Sequence, residues 1–225
     1  MDMKTLLTCV LALLLAGSAA MAKTVTLEEV DVNPSKIIPI NVPGFYNGNV
    51  YAGVMQFELN GNENDQQRVY GFCIDLHHFS SSSDQTYTVN NLATTPKTGR
   101  AALGTTNARI IDNLWALYFN GALHDANEAA ALQVAIWDIC IRVDNSPAGV
   151  PTISTQTFGT WSAASMITAA TNYTGQSVYL CEVSNPNYQD YVILSIPDGG
   201  LTLLLLGSAL GGLRIFSKRK RLQTS

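Results

Sequence analysis

Two residue types in this chain carry latent chemistry: cysteine, present four times, and a glutamine set within an apolar helical pattern. Cys9 falls in an N-terminal apolar stretch that reads as a cleaved leader, so the exported chain keeps Cys73, Cys140 and Cys181. Three cysteines allow three different single disulfides, and each leaves one thiol over. If Cys140 pairs with Cys181, the thiol left is Cys73, within the run Tyr70-Gly71-Phe72-Cys73-Ile74-Asp75; a Cys73–Cys140 bridge is the competing arrangement. A lone thiol in an apolar strand is by itself a small core residue. Gln133 changes that, because its neighbours Ala130, Leu132, Val134, Ile136 and Trp137 are apolar and such a helix is buried on most sides. An unpaired amide there costs roughly 1–3 kcal/mol. Attack of the Cys73 thiolate on the Gln133 side-chain carbonyl, with loss of ammonia, removes the thiol and the amide donors together. The product is an internal thioester, closing a loop of about 60 residues and stabilising the fold by roughly 4 kcal/mol on the analogy of disulfide loop entropy.

Neighbouring residues could support such a bond. Asp75 lies two residues from Cys73 on the same strand face, placed to orient or deprotonate the thiol or to serve a turn or ladder. Trp137 follows Gln133 by one helical turn and is expected to pack over the bond and exclude water. His77, His78 and His124 with Asp75 raise the alternatives of a metal site or a Cys–His hydrolase. Adjacent strand residues point to opposite faces, so His77 and His78 cannot both ligate without a bulge, and no metal or cofactor is assigned. A hydrolase keeps a free thiolate, whereas a thioester consumes its thiol.

The elements that must position these residues follow from the pattern. Alternating runs at 50–59, 68–76 and 85–89 read as antiparallel strands, the first two joined by the Asn- and Asp-rich stretch 62–65. The period then changes: Ile110, Ile111, Leu114, Trp115, Leu117 and Tyr118 recur at helical spacing up to the Asn120-Gly121 stop. A second helix opens at Asp125 with Glu128 three residues on and runs through Cys140, with Asp138 and Arg142 spaced to pair. A third helix is expected near 160–171, and strands return at 177–183 and 190–196. The expected fold class is α+β, a β-sandwich or barrel with a helical insertion.

Both ends look like addresses. Residues 1–22 place Lys4 before an apolar core and end Ala20-Met21-Ala22, the layout of a secretory signal peptide. At the other end Ile196-Pro197-Asp198-Gly199-Gly200 leads into an apolar stretch and then Lys218-Arg219-Lys220-Arg221. A helix over about 201–216 would be about 24 Å long, enough for a thin membrane, with its basic end in the cytoplasm. The intervening residues 23–195 hold 15 acidic and 7 basic side chains, a net charge of −8. An acidic body without a basic stripe argues against a nucleic-acid partner. There is no Gly-rich phosphate loop and no internal repeat.

Three of these segments resemble known families. The Pro197-Asp198-Gly199 turn, short helix and basic stop are similar to the C-terminal sorting signals read by exosortases in Gram-negative bacteria, the PEP-CTERM class and its Val-Pro-Asp-Ser-Gly variant, with Ile196 and Gly199 as departures. Phe72-Cys73-Ile74-Asp75 and Leu132-Gln133-Val134-Ala135-Ile136-Trp137 resemble the two halves of the Cys–Gln thioester domain of bacterial surface adhesins, over roughly residues 45–195. That resemblance implies a Cys73–Gln133 bond held from water until an amine on an extracellular protein or matrix component attacks it. It also implies single-turnover attachment rather than enzymatic turnover, at the cell surface or in the extracellular matrix, after an exosortase-type enzyme has processed the tail. The competing reading is a structural or carbohydrate-binding matrix module, with Phe45, Tyr46, Tyr51 and Tyr70 as its face.

Overall fold

The computed structural model of the chain describes residues 23–42, 45–59, 68–94, 101–143 and 156–195. The expected signal peptide, the 62–65 connection, the sorting residues Pro197, Asp198 and Gly199 and the helix at 201–216 lie outside these. Among the described residues no helix is long and apolar enough to cross a membrane.

Six antiparallel strands close into a barrel: β1 (Thr24–Val42), β2 (Tyr46–Leu59), β3 (Arg68–Cys73), β4 (Gln85–Asn91), β7 (Leu180–Ser184) and β8 (Tyr191–Leu194), in the order β1-β2-β3-β8-β7-β4. Between β4 and β7 the chain inserts helices α1 (Gly104–Ala122), α2 (Ala126–Val143) and α3 (Ala163–Asn172), with the short hairpin β5 (Thr157–Phe158) and β6 (Trp161–Ser162) before α3. Of the two expected architectures the barrel is the one observed, and the helices are the insertion.

The longest strand, β1, is absent from the sequence-based expectation. It contains Pro34 and Pro39, residues that disfavour a paired strand; Pro34 falls within the register shift at Val32/Ser35, the second of two after Glu29/Asp31, and Pro39 lies where β1 is paired with β2 alone. At the second shift β2 comes so close that a side chain on Gly53 would strike the Pro34 carbonyl oxygen and Ser35 Cα. Only glycine permits that approach. Beyond Gly53 β2 pairs with β1 alone, from Ser35↔Gly53 to Val42↔Tyr46. Its ladder with β3 runs only from Glu58↔Arg68 to Met55↔Gly71. The two strands therefore part just before Cys73, and the gap receives α2.

Alternation along β3 sends Phe72 and Cys73 to opposite faces. Phe72 meets the rings of Trp115 and Phe119 on α1. Cys73 stands opposite Tyr191 on the inner face, where Phe57, Tyr87 and Tyr191 pack together. Helix α2 lies against β1, β2, β3, α1 and α3, and every residue from Glu128 to Ile141 is buried. Its first turn is capped by the Asp125 carboxylate, which accepts the Asn127 N–H at 2.7 Å. Glu128 does not reach back as a capping box would; its carboxylate packs against Gly121, where a Cβ would collide with it. The expected Asp138–Arg142 pair forms at 2.5 Å, with the Asp138 end buried.

On α1, Asp112 has one carboxylate oxygen buried without a hydrogen bond, and burial pushes its pKa up to about 6 despite a hydrogen bond from the Leu180 backbone. A carboxyl whose folded pKa lies above its unfolded value binds more protons in the folded state, so stability falls as pH rises from about 4 to about 6. Asp112→Asn is expected to raise the melting temperature at pH 7, by the equivalent of about 1 kcal/mol after allowing for partial exposure, and to leave it unchanged near pH 4. Thermal melts of both proteins across that range check the prediction; an equal gain at both pH values would refute it.

Candidate functional site

Cys73 is the last residue of β3, and its main-chain N–H and C=O point to the side that β2 has left. Gln133 takes that place. Its Oε1 accepts the Cys73 N–H at 3.0 Å and its Nε2 donates to the Cys73 carbonyl at 2.8 Å. The side-chain amide thus continues the sheet as a one-residue strand, which is how a glutamine in a fully buried helix is satisfied. Cys73 and Gln133 are 2% and 1% exposed, so both are almost wholly covered by protein. The two residues singled out from sequence, 60 positions apart, are joined by two hydrogen bonds.

The Cys73 thiol donates to the main-chain carbonyl of Asp75 at 2.9 Å. Burial pushes the thiol well above its ordinary pKa; Trp137 is the strongest opposing influence, through its indole N–H, while the Asp75 charge adds to the rise. The sulfur is therefore a protonated thiol near neutrality. Of the roles open to Asp75, its carboxylate takes the structural one in a turn and its main chain meets the thiol. β3 ends at Cys73, so strand alternation does not extend to Asp75, whose carboxylate instead accepts the His77 N–H at 2.8 Å and lies 2.5 Å from His78 Nδ1. Asp75 orients the thiol through its backbone, a carbonyl that Gln189 Nε2 also holds at 2.9 Å.

Gln133, Trp137 and Cys140 recur on one face of α2. Trp137 is 2% exposed, and its indole N–H is buried without a conventional hydrogen bond. Cys140 is near enough to Cys73 to influence its ionisation. The Cys140–Cys181 bridge expected from sequence is not formed in this structure, where both residues carry thiols. Cys181, on β7, has its sulfur 3.8 Å from the Leu194 carbonyl oxygen.

A cavity of about 230 Å³ ends on Cys73, Gln133 and Trp137. It occupies the space between the β1–β2 ribbon and the loop after β3, with Tyr46, Tyr51 and Phe79 toward its mouth. Tyr51 and Phe79 are each 61% exposed. Phe79 forms a ring cluster with Phe45 and Tyr46, and Phe45 stacks on His77. Tyr70, grouped with these tyrosines from sequence, instead packs on Phe119 of α1. Glu29, on β1, also lines the cavity and was missed from sequence, because only the pairing of β1 shows that it points inward. Among the described residues no group of three or more His, Cys, Asp or Glu is arranged to hold a metal.

No protein-family model matches the chain, and no curated protein matches it. Among solved structures, the N-terminal domain of the Streptococcus pyogenes pilus tip adhesin Cpa is similar, at 15% sequence identity and a TM-score of 0.36, over 80% of this chain and 97% of that one.

Proposed function

We propose that this is an exported bacterial surface protein whose barrel domain forms an internal thioester between Cys73 and Gln133 and uses it once, to attach covalently to an amine-bearing partner. The observation that carries this function is the pair of hydrogen bonds between the Gln133 carboxamide and the backbone of Cys73, at 3.0 and 2.8 Å. They hold an acyl carbon beside the residue that bears the nucleophile. The Cys73 N–H that binds Oε1 also suits the charge that develops there as sulfur adds, as an oxyanion-hole donor does. In the forming step the Cys73 S–C bond to Gln133 Cδ is made, the Cδ–Nε2 bond breaks, and the thiol proton leaves with the amide nitrogen as ammonia.

Export and surface attachment are supported by the leader-like residues 1–22 and by the Pro197-Asp198-Gly199 segment with its apolar and basic sequel. An exosortase-type enzyme would act on that segment. The partner would be an extracellular protein or matrix component that presents an amine.

Intact mass of the purified, non-reduced protein, beside Cys73→Ala and before and after methylamine, is the direct test. Wild type is expected to lack one ammonia and to gain one methylamine in its place, with neither change in the variant. A full-mass wild type whose Cys73 alkylates freely on denaturation refutes the thioester. A second function is favoured in that event by the exposed ring cluster of Phe45, Tyr46 and Phe79 with Tyr51 beside it: non-covalent binding of a carbohydrate, whose faces stack on aromatic rings.

A further inference from the structure

The acyl group is reached through a cavity whose lining has a distinct charge. Among the described lining residues there is no Lys, Arg or His, and Glu29 is the only carboxylate. Glu29 stands where the pattern of β1 calls for an apolar side chain. Val25 and Leu27 before it are buried on the inner face, Glu29 pairs with Phe57, and the register shift at Glu29/Asp31 puts one extra residue, Val30, immediately after it. A bulge of this kind re-aims a side chain next to a functional site. The carboxylate is held in place by the wholly buried Tyr191, whose hydroxyl donates to Glu29 Oε2 at 3.3 Å, and by Ser80. Tyr191 is also the cross-strand partner of Cys73. Keeping one carboxylate without a cationic partner in such a place costs stability, which suggests that a cation is supplied from outside.

We infer that Glu29 receives the incoming amine as an alkylammonium ion and takes a proton from it before the amine attacks. This rests on the thioester function proposed above. The cavity, at about 230 Å³, is below the roughly 300–1,000 Å³ of ordinary small-molecule sites and suits the end of one side chain. Tyr46, Tyr51 and Phe79 at the mouth offer ring faces to a cation on its way in. The protons balance as follows. R–NH3+ gives one proton to the Glu29 carboxylate; the neutral amine attacks the acyl carbon of Gln133; the C–S bond breaks; the second proton moves from nitrogen to the leaving Cys73 sulfur. An amide and a thiol result, and Glu29 returns its proton to water. Burial raises the Glu29 pKa, which makes it a better proton acceptor near neutrality than an exposed carboxylate.

The test compares full-length wild type with Glu29→Gln, following loss of the thioester by intact mass at pH 7 with methylamine, which is protonated, and with hydroxylamine, which is already neutral. The ammonia deficit is measured first in both proteins. The variant is expected to carry the same deficit, to react with methylamine roughly 100-fold more slowly and to react with hydroxylamine at close to the wild-type rate. Equal methylamine rates in the two proteins, or an equal slowing with both nucleophiles, overturns the assignment of Glu29 while leaving the thioester standing. A variant that forms no thioester also overturns it, since Glu29 would then serve to build the bond. A wild type with no ammonia deficit removes both proposals.

Discussion

Gln133→Ala is expected to lose all capture of amines and, unlike most losses of a reactive group, to lose stability as well. The carboxamide satisfies both main-chain groups of Cys73, and neither has another β-strand to turn to, because β2 stops pairing at Gly71. Compared with Cys73→Ala, which keeps the carboxamide and forms no crosslink, alanine at 133 leaves a buried N–H and a buried C=O without partners, at roughly 1–3 kcal/mol each, so a further loss of about 2–6 kcal/mol is expected in denaturant unfolding. Gln133→Glu separates the chemistry from the structure. A protonated glutamic acid can still accept from the Cys73 N–H and donate to its carbonyl, as glutamine does, whereas a carboxylate has no proton to donate. The folded state would therefore hold this carboxyl neutral and raise its pKa above the unfolded value. Stability would be nearest to that of the uncrosslinked Cys73→Ala protein at low pH and would fall as pH rises past about 4, the ordinary pKa of a glutamic acid. No thioester is expected at any pH, because ammonia is no longer the leaving group. A Gln133→Glu protein with a pH-independent stability deficit would show that the amide does not donate to Cys73.

Chemical anomaly made the central pair readable before any coordinates. A glutamine among Ala130, Leu132, Val134 and Ile136 has to be paired or consumed, and Cys73 was the thiol left over by one of the possible pairings. The helices were readable for the related reason that a period of 3.6 survives burial on several sides. What escaped depended on pairing between distant strands. β1 hides behind Pro34, tolerated at a register shift against β2, and Pro39, tolerated where β1 has β2 as its one ladder. Glu29 looks like one of a run of surface acids until Leu27 and Phe57 fix which way it points. Asp75 was placed on a strand that ends two residues earlier, so its main-chain oxygen, rather than its carboxylate, meets the thiol. The Cys140–Cys181 pairing was one of the arrangements that counting cysteines allows, and counting carries no distance.

Trp137 carries the other large expected effect, because it performs two separable tasks. Its ring is buried beside Gln133 and Cys73 at the end of the cavity, and its indole N–H has no conventional acceptor yet lowers the Cys73 pKa against burial. A donor that favours anionic sulfur helps most when the C–S bond breaks and the thiolate departs. Trp137→Phe keeps most of the ring and removes the donor. It is expected to change stability by less than about 1.5 kcal/mol, since the lost N–H had no strong partner, and to slow methylamine capture roughly tenfold. Trp137→Ala removes the ring itself. A loss of about 3–5 kcal/mol is expected, and water admitted to the acyl carbon would hydrolyse the bond on storage, leaving a glutamate at position 133 that peptide mapping detects. The two variants thus divide sulfur activation from water exclusion. If Trp137→Phe captures methylamine as fast as wild type while Trp137→Ala hydrolyses, the tryptophan acts as a wall alone, and the raised Cys73 pKa is offset by groups other than the indole.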